Sequence, residues 1–98
     1  MDPTPDERRG IEWANEWVRA QAANKGMRLD AKWHLDADRH EYLVTVKAEG
    51  VEFTAAIDVV DLADCGRGDE TSRASARIKL GFTLDALQRR LSSSAGRN

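Results

Sequence analysis

A partner for Cys65 is missing. With one cysteine in the chain, no internal disulfide can form, and the sequence reads as that of a protein from a reducing compartment, the cytoplasm. A long apolar run is missing too. Nothing approaches the roughly 20 residues that a membrane-spanning helix requires, and 33% of the residues are charged, so no membrane partner is expected. The opening residues, M-D-P-T-P-D-E-R-R, lack the cationic start and apolar centre of a secretory signal. There is no glycine-rich phosphate loop, no G-x-S-x-G and no H-E-x-x-H. Cys65 has no cysteine or histidine at zinc spacing. From these absences the chain is expected not to be an enzyme and to use no cofactor and no metal ion.

What the chain does contain is enough apolar material, 41% of its residues, for one small core. A single α+β domain is expected over 6–91. Before it lies a flexible leader, 1–5, with Pro3 and Pro5, and after it a disordered polar tail, 92–98. The net charge of −2 conceals an asymmetry. Residues 1–65 hold 8 Lys/Arg against 14 Asp/Glu, whereas residues 66–98 hold 7 against 3. An acidic body thus precedes a basic last third.

The first element is a helix from about Asp6 to Asn24. Thr4 is placed to cap it, with Pro5 in the first helical position and Glu7 three residues after the cap. Ile11, Ala14, Trp17, Val18 and Ala22 form its apolar stripe, and Asn24-Lys25-Gly26 stops it. Gly10 blurs its start. Trp13 sits on the flank of the stripe, either rimming the core or serving as an aromatic anchor for a partner.

Strands follow. Met27, Leu29, Ala31, Trp33 and Leu35 alternate with polar residues, which is the two-residue period of a half-buried strand. Tyr42, Val44, Val46 and Ala48 repeat the pattern, as do Val51, Phe53, Ala55, Ile57 and Val59. Glu49-Gly50 reads as a two-residue hairpin turn. It sets Ala48 against Val51, Val46 against Phe53, Val44 against Ala55 and Tyr42 against Ile57. A four-residue loop at 36–39 sets Trp33 against Tyr42, Ala31 against Val44 and Leu29 against Val46. Both hairpins then bury the same face.

Between Val60 and about Arg73 the periodicity fails, and V-V-D-L-A-D-C-G-R-G-D-E-T-S reads as a long acidic loop. Alternation returns at Ala76, Ile78, Leu80, Phe82 and Leu84, which predicts a fourth strand over 74–84. A short helix at 85–91 ends the domain. The expected fold is therefore α-β-β-β-β-α: an N-terminal helix on one face of a four-stranded antiparallel meander, a shape that resembles cystatin-like folds.

A competing reading makes residues 71–91 one long helix. Ser72-Arg73-Ala74-Ser75-Ala76-Arg77 resembles the S-K-K-x-A-K helix start of double-stranded-RNA-binding domains, with Ala74 in place of the second lysine. That resemblance implies the order helix, three strands, helix. Gly81, Ile78 and Thr83 favour a strand instead. In the acidic segment, Asp61, Leu62, Cys65, Gly68 and Asp69 resemble the D-L-P-G-C…G-D run of HicB-type antitoxins, with Ala63-Asp64 where that family has Pro-Gly.

On the outer face of the sheet, His34 is expected to meet Glu41, Glu41 to meet Asp58, and Arg77 to lie beside Asp58. This row reads as solvated ion pairs rather than a general base. The leading expectation is a small non-catalytic protein-binding module: an inhibitor, an antitoxin-like protein or a regulator. It would act through an edge strand, the acidic loop or the Trp13 flank. Trp13, Asp61, Asp64, Asp69, Glu70, Arg77 and Lys79 are the candidate partner-binding residues, and an edge strand is a candidate site for homo-oligomerisation. The alternative is a nucleic-acid-binding domain using Arg67, Arg73, Arg77, Lys79, Arg89 and Arg90.

Overall fold

The structure, a computed structural model, describes residues 2–95. Six elements follow one another: α1 (Pro5–Asn24), β1 (Asp30–Asp36), β2 (Glu41–Ala48), β3 (Val51–Asp58), α2 (Val59–Gly66) and α3 (Glu70–Ala95). The strands form one antiparallel sheet in the order β1-β2-β3. The expected four-stranded meander with a single short C-terminal helix is therefore corrected to three strands and three helices. The order helix, three strands, helix of the competing reading is present, with α2 inserted before the last helix. The expected leader and tail fall partly on residue 1 and residues 96–98, outside the described residues.

The reason for the correction lies in the geometry of 74–84. Successive residues of an α-helix are about 100° apart, so residues two apart lie nearly opposite and residues four apart nearly together. The alternation that imitates a strand therefore splits in two. Ala76, Leu80 and Leu84 face the core, at most 3% exposed, whereas Ile78 and Phe82 face solvent at 61% and 68%. Buried Leu87 and half-buried Leu91 continue the inner stripe, so one helical phase accounts for 76–91 where the strand pattern ends at 84. The residues that favoured a strand are accommodated. Thr83 Oγ1 donates to the Lys79 carbonyl at 3.0 Å, the back-bond by which threonine sits within a helix. Gly81 faces Trp17.

The expected acidic loop is likewise corrected. Its Asp and Gly residues punctuate helices instead. Asp58 caps α2 by accepting from Val60 N at 2.8 Å, and Asp69 accepts from Ser72 N at 2.9 Å in the first turn of α3. Between them Leu62, Ala63 and Cys65 are buried. Eight residues are too few to show a clear helical period in the sequence.

At the other end, Thr4 caps α1, accepting from Glu7 N at 3.2 Å, and Pro5 opens the helix. The β2–β3 register is as expected: Ala48 pairs with Val51, Val46 with Phe53, Val44 with Ala55 and Tyr42 with Ile57. The β1–β2 register differs by two residues, pairing Trp33 with Val44 and Leu35 with Tyr42. Asp36 belongs to the strand, and its side chain accepts from Arg39 N. The loop is thus Ala37–His40, with His40 at φ 53°. A shift of two preserves the buried face. It also shortens the expected row: Glu41 does pair with Asp58, but His34 pairs with Leu43, not Glu41, and Arg77 lies on a helix.

All three helices share one side of the sheet. Asn15 of α1 accepts from Trp33 Nε1 at 2.7 Å, and Glu7 accepts from the Tyr42 hydroxyl at 2.8 Å. Contacts between α1 and α3 ascend together (Trp13 with Arg73, Trp17 near Gly81, Lys25 with Asp85), so the two helices run in the same direction. Against α1, α2 runs the opposite way and very close. A methyl group added at Gly10 would stand 2.1 Å from the Leu62 carbonyl oxygen, and one at Gly66 would stand 1.9 Å from that of Asp6. Gly10 is thus the point where two helix backbones touch.

Candidate functional site

The outer stripe of α3 stands out from the rest of the surface. Ile78 and Phe82 lie one turn apart, both more than half exposed, on the side of the helix opposite Leu80 and Leu84. Single exposed apolar residues are ordinary, but an adjacent large pair on an ordered helix is a small contiguous apolar patch. By the same geometry, Thr71 and Ser75 precede it along the stripe, and Ala86 and Arg89 follow. Lys79 and Arg90 flank one side and Asp85 the other.

The electrostatics of this stripe follow from who is already paired. Asp85 accepts from Lys25 Nζ at 2.8 Å, and this bond holds its carboxyl below the usual carboxylate range. Arg77 pairs with Glu70. Lys79, Arg89 and Arg90 have no salt bridge among the described residues. The apolar pair thus sits beside cations that form no salt bridge, and its one neighbouring carboxylate is bonded to Lys25 at the end of α1 and also feels the charge of Arg89.

The candidate residues separate into four places, with Glu70 beside Asp69 at the start of α3. Trp13 is half-buried at the α1–α3 seam, with the Arg73 guanidinium 5.1 Å from its ring centroid. Asp61 and Asp64 lie on α2, and Asp64 pairs with Arg67, which also reaches Asp6 at 3.0 Å. Asp69 caps α3, and the Ser72 backbone N–H bond holds its carboxyl below the usual range. Arg77 and Lys79 alone belong to the turns of α3 around the exposed pair. Ile78 and Phe82 are the residues that alternation assigns to the core. Reading the same segment at 100° rather than 180° per residue brings them out.

Little else resembles a site. Cys65 is fully buried, and burial pushes its thiol above the usual range. Among the described residues no three His, Cys, Asp or Glu side chains gather as a metal-binding group. A depression of about 550 Å³ opens at the far end of the helices, lined by Lys25, Met27, Arg28, Ala48, Gln88 and Leu91 among others. The outer face of the sheet is polar, with the Thr45 and Thr54 hydroxyls 3.0 Å apart, and none of the helices lies on it. No helix among the described residues is long and apolar enough to cross a membrane. No family model, no curated protein and no solved structure matches this chain.

Proposed function

We propose that this domain is a non-catalytic protein-binding module whose contact surface is the outer stripe of α3. The supporting observation is the Ile78–Phe82 pair, held in water at 61% and 68% exposure on a helix whose other side is anchored in the core. Apolar pairs on one helix face are the anchors by which helices dock into partners. Lys79 flanks the anchor and Arg77 lies in the preceding turn, paired with Glu70; Asp64 is likewise an ion-pair partner and Asp69 a cap. A role as inhibitor, antitoxin-like protein or regulator fits such a module.

The nucleic-acid alternative has less support. Of its six cations, Arg67 pairs with Asp6 and Asp64, Arg73 donates to the Cys65 carbonyl at 2.9 Å, and Arg77 pairs with Glu70. Arg73 and Arg77 occupy the positions that resemble the RNA-binding helix start.

Self-association through β1 has its own support. The Val59 N–H donates to the His40 carbonyl at 2.9 Å, which fixes the alternation of ladder bonds. Even-numbered residues of β2 bond to β3 and odd-numbered ones to β1. The free edge of β1 therefore presents the backbone groups of Ala31, Trp33 and Leu35. Antiparallel pairing of two copies centred on Ala31 would set each Asp30 opposite the Lys32 of the other. In sedimentation, Ala31→Pro, which removes an outward donor without touching a β1–β2 bond, should abolish any dimer.

The α3 reading is tested by comparing the wild type with the double variant Ile78→Ser, Phe82→Ser as bait in cell extract. A protein held by the wild type, lost by the folded variant and binding directly once purified is the expected result. Capture of an oligonucleotide that weakens steeply between 50 and 200 mM salt, with no protein lost, would reverse the reading.

A further inference from the structure

We infer that the outer stripe of α3 docks an acidic amphipathic helix from another protein, an inference that rests on the protein-binding reading of that stripe. Three features point to this occupant. Ile78 and Phe82 are spaced as one i, i+4 ridge, the unit that interdigitates with the grooves of a second helix. Helix α3 has 26 residues, so at 1.5 Å per residue it is roughly 39 Å long, enough to lie along several turns of a partner. The rim chooses the sign of the charge. Lys79 lies three residues before Phe82 and Arg89 seven after it, about 10 Å along the axis. Neither forms a salt bridge among the described residues; Asp85 is held by Lys25, with Arg89 a weaker, longer-range influence on it. A partner with leucine-like anchors and flanking carboxylates would meet an apolar ridge and unpaired cations together.

A second copy of α3 is a poorer occupant of the same stripe. Two-fold pairing about the Ile78–Phe82 ridge brings Lys79 toward Lys79 of the other copy and leaves Arg89 near Thr71, with no new ion pair. The apolar contact is small for either occupant: one exposed pair on a single helix lies well short of the roughly 800 Å² per partner of a stable interface. Only the charge of the rim separates the two, and it adds to binding when the occupant is acidic.

The test uses the full-length protein and three labelled 18-residue helical peptides with the same leucine stripe, the other positions being mainly Glu, Gln or Lys. Fluorescence anisotropy at 50 mM salt should show the Glu peptide binding about tenfold more tightly than the Gln peptide, the gain expected from two or three rim ion pairs. This advantage should shrink at 300 mM salt. Phe82→Ser, at an exposed position and so expected to fold as the wild type, should weaken the Glu peptide at least tenfold. The double reversal Lys79→Glu, Arg89→Glu should transfer the preference to the Lys peptide. Equal, Phe82-dependent binding of the Glu and Gln peptides would overturn the acidic partner and leave the protein-binding reading standing. Binding of no peptide, or binding indifferent to Phe82→Ser, would overturn both.

Discussion

Alanine in place of glycine inside a helix should have opposite effects at two positions of this chain. Propensity alone favours Ala by about 1 kcal/mol at either site. At Gly81 the added methyl group would lie 3.8 Å from Trp17 Cη2, an ordinary contact. Gly81→Ala is therefore expected to stabilise by about 1 kcal/mol, or to raise Tm by about 4–8 °C in a domain of this size. At Gly10 the methyl group would meet the Leu62 carbonyl oxygen at 2.1 Å, well inside the 3.0 Å that real Cβ contacts essentially never cross. The obstacle is backbone, which has no rotamer to change, so α2 must move away by about 1 Å. The shift would disturb the packing of Leu62 and Cys65, both fully buried. Overpacking of this kind costs about 1–3 kcal/mol, and a backbone clash belongs at the upper end. Set against the propensity gain, Gly10→Ala should destabilise by about 2 kcal/mol. Urea titration of both variants beside the wild type reads these values, with m unchanged if both stay two-state. Equal stabilisation by the two substitutions would refute the close α1–α2 approach. Destabilisation by Gly81→Ala would refute the placement of Gly81 in an open helical position.

Other consequences follow from buried groups. The Glu7 carboxylate accepts from Thr4 Oγ1 and the Tyr42 hydroxyl at 2.7 and 2.8 Å, bonds that lower its pKa. A lowered folded-state pKa contributes stability that is present above the unfolded value of about 4.3 and is lost as pH falls through the folded value. Tyr42 is pushed up to about 12, first by burial and then by Glu7, so its contribution is complete below pH 10 and disappears as pH rises toward 12. Tyr42→Phe should cost about 1.5–3 kcal/mol at neutral pH and remove the alkaline loss, as followed by chemical denaturation across pH. Cys65, buried and shifted upward by that burial, should react with an aromatic disulfide reagent only on unfolding. Rapid labelling of the native protein would contradict its burial on α2.

Much of the fold is legible in the residues themselves because local signals and burial agree there. Thr4 and Pro5 start α1, Gly26 at φ 72° ends it, and the Glu49-Gly50 turn sets a register that every apolar pair then respects. The second half of the chain is less legible for a physical reason. Helix α3 is apolar on two opposite sides, and at two-residue intervals opposite sides of a helix imitate the single face of a strand. Helix α2 is eight residues long and bounded by Asp58, Gly66 and Gly68, so its two turns of apolar residues are too short to set a helical period against the surrounding Asp and Gly. The same ambiguity hid the candidate site. Ile78 and Phe82 look like core in the alternating pattern and become surface only when the segment is wound as a helix.

The most direct measurement of the account compares Phe82→Ser with Leu84→Ala by urea denaturation. These residues share one face of a strand but opposite sides of a helix. With Phe82 at 68% exposure and Leu84 fully buried, the serine variant should lie within about 0.5 kcal/mol of the wild type, while the alanine variant loses about 2–5 kcal/mol. Comparable losses of several kcal/mol from both would return Phe82 to the core, and with it the strand that α3 replaces.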